Sequence, residues 1–325
     1  MKPSRFNALS AAVLAVIGLS SCSTQSGLRK FDDENIKKEI PKEVAEKFEV
    51  KDMSGPTPTP APKPVVVVPK KKKGKVVSVP QEPVSTVLPN RRLETMPFEV
   101  GEKLSYDVRF IGVTAATFNM EVLPEKLVNN RKVYHFQGHA KTLKLFELVY
   151  RVDDLIESFV DYDGLFSHRF TMNLDESKQS RKLIELYDYE KKKSFMWNRI
   201  DHKEKGFSEQ KVENDIKLWS QDPLSFMYYV RAANLPQGPS APVKIPVIID
   251  GKPWETVMTF DRRESISVGN RRFEANVYRV ENYLNGELKN KDNTFWISND
   301  AKRYLLRVEA KVKVGSFAVA LDRIL

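Results

Sequence analysis

The chain has 325 residues, 19 prolines, a single cysteine and a formal net charge of +10. One cysteine excludes an internal disulfide and any zinc site built on cysteine pairs. The 41% hydrophobic share suffices for a folded core, and no run of about 20 apolar residues is present to cross a bilayer as a helix.

Residues 1–21 read as a targeting segment. Lys2 and Arg5 form a short positive start, and the apolar stretch Ala8 to Leu19 is too short to span a membrane. It ends in Leu19-Ser20-Ser21-Cys22, which resembles the bacterial lipobox. In signals of that class the cysteine thiol receives a diacylglyceryl group, the chain is cut before it, and the new amine is acylated. A lone cysteine is ordinarily a small buried apolar residue, but this one directly follows the apolar stretch. Several acyl chains, at about 0.8 kcal/mol per buried CH₂, hold a protein stably where one does not. Ser23 follows rather than Asp; by resemblance to the sorting rule of Gram-negative lipoproteins this implies the outer membrane, facing the periplasm, with the inner membrane or the cell surface as alternatives. Without Lys2 and Arg5 the mature chain carries +8. Such a charge suits anionic lipid or cell-wall polyanions, and export argues against nucleic acid.

From Cys22 to residue 95 the chain reads as a disordered tether. Lys37 to Val50 could form a short amphipathic helix on Val44 and Phe48, limited by Pro41. The run Gly55 to Pro64 favours extended polyproline II. At about 3.1 Å per residue, roughly 35 extended residues reach on the order of 100 Å. Lys70, Lys71, Lys72, Lys73 and Lys75 form a basic cluster. It serves as a solvated spacer or as a docking patch for anionic surfaces, worth about 1 kcal/mol per basic residue there.

Residues 96–325 read as one mainly β domain. Period-two alternation marks strands at 104–110, 117–122, 133–138, 155–160, 167–174, 182–187 and 192–198. Others follow at 243–249, 254–261, 272–283, 293–297, 304–312 and 316–322. Asp163-Gly164, Asp250-Gly251, Gly269-Asn270 and Asn285-Gly286 supply turns between them. Asp222 to Arg231 breaks the pattern, with Asp222 as N-cap, Pro223 at the first helical position and a 3.6-residue period. A weaker helical signal lies at Leu143 to Leu148. The spacing predicts one large curled antiparallel sheet, a β-spiral or open barrel-like form, with one or two short helices.

Several stretches of this domain resemble an exported bacterial family, domain of unknown function 3108. They are Phe98 to Val108, Val152 to Ser158, the helix at Asp222 to Arg231, Phe295 to Arg303 and Gly315-Ser316-Phe317, in that order. The resemblance covers nearly all of residues 96–325 and implies a curled β-sheet protein of the cell envelope. It implies no catalytic residues. Thr114-Ala115-Ala116 stands where the family tends to have glycine after the first hairpin.

The chemistry-bearing residues are sparse. His135 and His139 share a strand face, and Asp153, Asp154 and Glu157 can join them only if the two strands pair. A polar strand face explains both sets without a metal, and Asp161 belongs to the same acidic group. No Gly-x-Ser-x-Gly or phosphate-cradling glycine loop occurs, and no cofactor is implied. Most aromatics suit a core, while Trp254, Trp296, Phe226 and Tyr229 are candidates to line a groove inside the curl, closed by the helix. Three readings result. The first is a non-enzymatic envelope protein that contacts cell-wall or other envelope components. The second is a carrier or sensor holding an acyl chain or peptide, and the third a hydrolase or metal-dependent enzyme.

Overall fold

The structure is a computed structural model that describes residues 40–53, 91–312 and 315–325. Leu19, Ser20, Ser21 and Cys22, and the cluster Lys70 to Lys75, lie outside the described residues.

In chain order the elements are α1 (Lys42–Lys47), β1 (Lys51–Asp52), β2 (Lys103–Phe110), β3 (Val113–Val128), β4 (Arg131–Thr142), β5 (Asp153–Asp161), β6 (Ser167–Asp175), β7 (Gln179–Asp188), β8 (Lys193–His202) and β9 (Gly206–Asp215). Then come α2 (Pro223–Ala232), β10 (Val243–Ile249), β11 (Lys252–Val268), β12 (Arg271–Leu284), β13 (Glu287–Ser298), β14 (Leu305–Val312) and β15 (Gly315–Ile324). They form one antiparallel sheet that does not close on itself, in the order β10-β11-β12-β13-β14-β15-β2-β3-β4-β5-β6-β7-β8-β9, with β1 added on β3. The chain's last strand pairs with β2. The two edges are therefore β9 and β10, consecutive in sequence and separated only by α2.

The predicted strands are all present. The strand β9 was not foreseen, because as an edge it is exposed on both faces and carries no alternation. The helical signal at Leu143 to Leu148 gives a series of turns instead, with Phe146 N–H bonding Leu143 C=O at 2.8 Å and Val149 N–H bonding Phe146 C=O at 2.9 Å. The first hairpin turns at Ile111-Gly112, both at positive φ, and the chain absorbs its missing glycine as a bulge at Ala115.

The helix α2 fills the concave side. Its N-terminus is a capping box between Asp222 and Ser225, with Pro223 in the first turn. Leu224, Phe226, Met227, Tyr228 and Val230 are buried. Tyr228 stacks on Phe136 with ring centroids 3.8 Å apart, and Phe98 meets both rings edge-on at 5.4 and 5.3 Å. Gly138 leaves room for this packing: a Cβ there would come within 2.8 Å of Ile156 and 2.9 Å of Phe118. Arg231, fully buried, forks onto Glu102 at 2.6 and 2.8 Å and donates to Pro97 C=O at 2.8 Å.

The lead-in to α2 ties the interior strand β6 to the open edge at β10. Ser167 N–H donates to Ser220 C=O at 3.1 Å, Gln221 N–H to Pro246 C=O at 2.9 Å, and Ile248 N–H to Gln221 C=O at 2.8 Å. A second clasp joins the β10–β11 turn to the opposite limb through Arg181–Asp250 at 2.7 Å and a bond from Asn214 to Gly251 C=O.

Two stretches within the expected tether, residues 22–95, are described and packed against the sheet, the first at the short helix expected on Val44 and Phe48. Residues 40–53 are folded onto the convex side, where Phe48 (1% exposed) packs with Val128, Val133, Phe159, Ile184 and Leu186. Arg169 donates to Phe48 C=O at 3.0 Å, Lys47 pairs with Asp188 at 3.0 Å, and β1 pairs with β3. The apolar face at Val44 and Phe48 finds a surface that only the assembled sheet provides, and its burial offsets the ordering cost. Ahead of residue 96, Arg91 and Arg92 are also tied to the domain: their N–H groups both bond Asp163 C=O, and the Arg91 guanidinium lies 4.8 Å from the Trp219 ring.

Truncating Glu102 to alanine leaves the Arg231 charge buried and unpaired. Glu102→Ala should lower unfolding free energy in urea by about 3–5 kcal/mol; a loss under about 1 kcal/mol would remove Arg231 as the fastener of α2.

Candidate functional site

The four aromatics expected to line one interior groove occupy different surroundings. Phe226 is in the core, 6.0 Å edge-on from Phe295. Tyr229 is half-buried beneath Arg91, whose guanidinium is 5.2 Å from its ring. Trp296 lies between the guanidinium groups of Arg262 and Arg307, at 5.9 and 5.3 Å. A groove of about 670 Å³ runs past Trp254 on the outer side of the sheet, but register sets the Trp254 side chain on the face of Val247 and Leu284, away from Glu255.

Strand register builds this groove. Glu255 stands opposite both Pro246 and Tyr283, and Val257 opposite both Lys244 and Glu281, so these side chains share one face of β10, β11 and β12. Lys217 and Ser220, from the connection between β9 and α2, form its other wall. Glu255 bridges the walls, pairing with Lys244 at 3.0 Å and Lys217 at 3.3 Å. The hydrogen bond from Lys244 holds its carboxyl below the usual range. Tyr283 donates to Glu281 at 2.9 Å. The Trp254 indole N–H is buried and has no acceptor among the described residues. The groove therefore offers aromatic and proline surface beside fixed ammonium and carboxylate groups. That chemistry recognises an elongated ligand with both apolar and polar faces.

The histidines and acids singled out from sequence do come together, because β4 and β5 pair. His135 meets Glu157 at 2.9 Å and stacks on Phe159 at 4.5 Å, while His139 meets Asp153 at 2.6 Å. Each histidine takes one carboxylate. Among the described residues no group of three or more His, Cys, Asp or Glu is placed to hold a metal ion. Asp161 accepts from His168 and Arg131, which hold its carboxyl well below the usual range against the opposing effect of burial. His202 caps a turn, accepting from Glu204 N–H at 3.1 Å.

Asp154, grouped by sequence with Asp153 and Glu157, turns away from the histidines to the concave side, where it forms a buried carboxyl pair with Glu176 that sequence reasoning missed. Burial, followed by the nearby Glu176, pushes Asp154 up to about 8; burial also raises Glu176, whose carboxylate accepts from Tyr150 at 2.7 Å and Gln179 at 2.8 Å. Burial likewise lifts Glu185 to about 8, with Asp250 and Asp222 adding to it. No motif marks these residues, since only the curl brings them out of water.

These geometries stand beside what the chain resembles. Its sequence matches the family described as "Protein of unknown function (DUF3108)" over residues 105–322. The chain belongs to the DUF3108 family. Among solved structures, a β-barrel-like protein of domain of unknown function DUF1849 from Brucella abortus is similar at 9% identity and a TM-score of 0.43, covering 70% of this chain and 97% of that one. A protein described as exported, with a YmcC-like fold, from Bacteroides fragilis matches at 10% identity and a TM-score of 0.32, covering 71% and 98%. One described as a lipoprotein, from Parabacteroides distasonis, matches at 9% identity and a TM-score of 0.30, covering 71% and 97%. No curated protein matches the chain. Among the described residues of this DUF3108 protein no helix is long and apolar enough to cross a membrane.

The folded protein keeps a proton on Asp154 up to about pH 8, whereas the unfolded chain releases it near pH 4. This group's contribution to stability therefore falls as pH rises across that window and levels off above it. Asp154→Asn should gain melting temperature relative to wild type as pH goes from 5 to 9; a difference that stays constant with pH would show the carboxyl to be ionised throughout.

Proposed function

We propose that this DUF3108 protein is an exported lipoprotein of the cell envelope, acylated at Cys22, that acts by binding rather than by catalysis. The Leu19-Ser20-Ser21-Cys22 signal supports the anchor, and Ser23 supports the outer membrane facing the periplasm. Relatives in fold described as exported or as a lipoprotein are consistent with an envelope location. The observation that carries the binding reading is the packing of α2. It fills the concave side with buried aromatics and the Arg231–Glu102 fork, which favours contact through outer surfaces over an acyl chain held within the curl. The outward groove at Glu255 and Tyr283 is the surface best equipped for an envelope component.

Two measurements test the two halves. Fatty-acid labelling of whole cells should mark wild type and leave Cys22→Ala unlabelled; equal labelling would end the anchor reading. Sedimentation with purified cell-wall sacculi should carry down the wild-type protein but not Glu255→Ala/Tyr283→Ala, with the melting temperature of that variant unchanged. Undiminished sedimentation of the variant would exclude the groove as the binding surface.

A further inference from the structure

Five large apolar side chains project from neighbouring loops at one end of the sheet: Ile111 (63% exposed), Val113 (54%), Leu145 (80%), Leu148 (98%) and Val149 (71%). The first two sit at the β2–β3 turn and the others in the β4–β5 connection. The loops are adjacent, since Thr142 pairs with Ala116 and Leu143 N–H donates to Ala115 C=O at 3.0 Å. The longer one is fastened at its root: Tyr150 is buried and donates to Glu176 at 2.7 Å, and Arg151 N–H donates to Ser177 at 2.7 Å. Its apolar tip is thus held outward on a braced projection, where the fold gains nothing from its exposure.

Shape and charge narrow the partner. Side chains on convex tips suit a fluid apolar layer that needs no matching relief, whereas a folded partner takes its anchors in pockets. The acids at the loop roots, Asp107, Asp153 and Asp175, are each neutralised by a basic neighbour, Arg109, Lys141 and Arg151 respectively. An anionic headgroup layer would meet no unpaired carboxylate there. Lys144 and Glu147 balance each other within the tip sequence.

Chain length supplies the reach. β1 fixes the N-terminal segment against Leu127 of β3, whose other end is Val113 at the apolar tips. At about 3.3 Å per strand residue those points are on the order of 45 Å apart. The eighteen residues 22–39 extend to on the order of 60 Å at most. A bilayer holding Cys22 is therefore within reach of the tips, and the anchor raises their effective concentration at its surface.

We infer that the Ile111/Val113 and Leu145/Leu148/Val149 tips form a second membrane contact, dipping into the leaflet that carries the acyl chains. This rests on acylation at Cys22, and the test separates the two. The full chain carrying Leu148→Cys is purified from membranes, treated with an environment-sensitive thiol dye and reconstituted into phosphatidylethanolamine/phosphatidylglycerol vesicles. One dye per chain by mass spectrometry means that Cys22 is blocked by lipid; two mean that the anchor reading has failed. With one dye bound, a blue shift and quenching by lipids brominated in their acyl chains are expected. An unshifted dye that brominated lipid does not quench would overturn the contact. So would an equal shift in detergent without vesicles that grows with protein concentration, which would make the tips a contact between copies. In a chain that begins at Ser23, and so lacks both the apolar signal and the lipid, adding Leu145→Asp, Leu148→Asp and Val149→Asp should weaken vesicle partitioning at least ten-fold with melting unchanged; undiminished partitioning would equally refute it.

Discussion

The fold depends on how one buried carboxylate is shared. Asp222, fully enclosed, accepts the N–H groups of Leu224 and Ser225 with one oxygen and the hydroxyls of Ser158 and Ser167 with the other. The first pair starts α2, satisfying donors that a helix terminus otherwise leaves orphaned. The second pair ties that start to β5 and β6. Burial raises its carboxyl, and these bonds oppose that rise. Gln221, immediately before it, reaches β10 through its backbone. An open sheet has two exposed edges and one uncovered concave face, and the segment 220–222 with α2 attends to the edge at β10 and to the face. The remaining edge, β9, carries Glu209, Lys211, Glu213 and Asp215, charges that discourage pairing with another chain.

Much of this architecture was legible in the residues. Strands such as β2, β5 and β12 showed alternation because one side faces a core, and the Asp222-Pro223 start of α2 is local chemistry that needs no tertiary partner. What stayed hidden depends on register between distant strands. Glu255 acquires Lys217 and Lys244 only once the β9–α2 connection lies along β10 and β11. Asp154 and Glu176 look like ordinary polar residues until the curl removes them from water. The short helix on Val44 and Phe48 was marked by its apolar spacing, but the surface that receives it is assembled from β3, β4, β5 and β7.

The two sides of the sheet divide the work. The concave side is given to holding α2, through aromatic stacking and the Arg231 fork. The convex side receives residues 40–53 over β3, β4, β5 and β7, and elsewhere carries polar and cationic–aromatic arrangements: the His139–Asp153 pair, Trp296 between two arginines, and the groove at Glu255 and Tyr283. The proposed binding role rests on this division between an inside given to holding the helix and an outside left partly uncovered.

The docking of residues 40–53 has a consequence for how the polypeptide fails. Residues 40–53 are held to the domain by their side chains as well as by the polypeptide. A single cut between Met53 and Arg91 would leave the two fragments joined through Phe48 in its pocket and the Lys47–Asp188 pair. Release would then require the short helix to peel away, so shedding of the domain would follow the lifetime of that contact rather than the rate of cleavage.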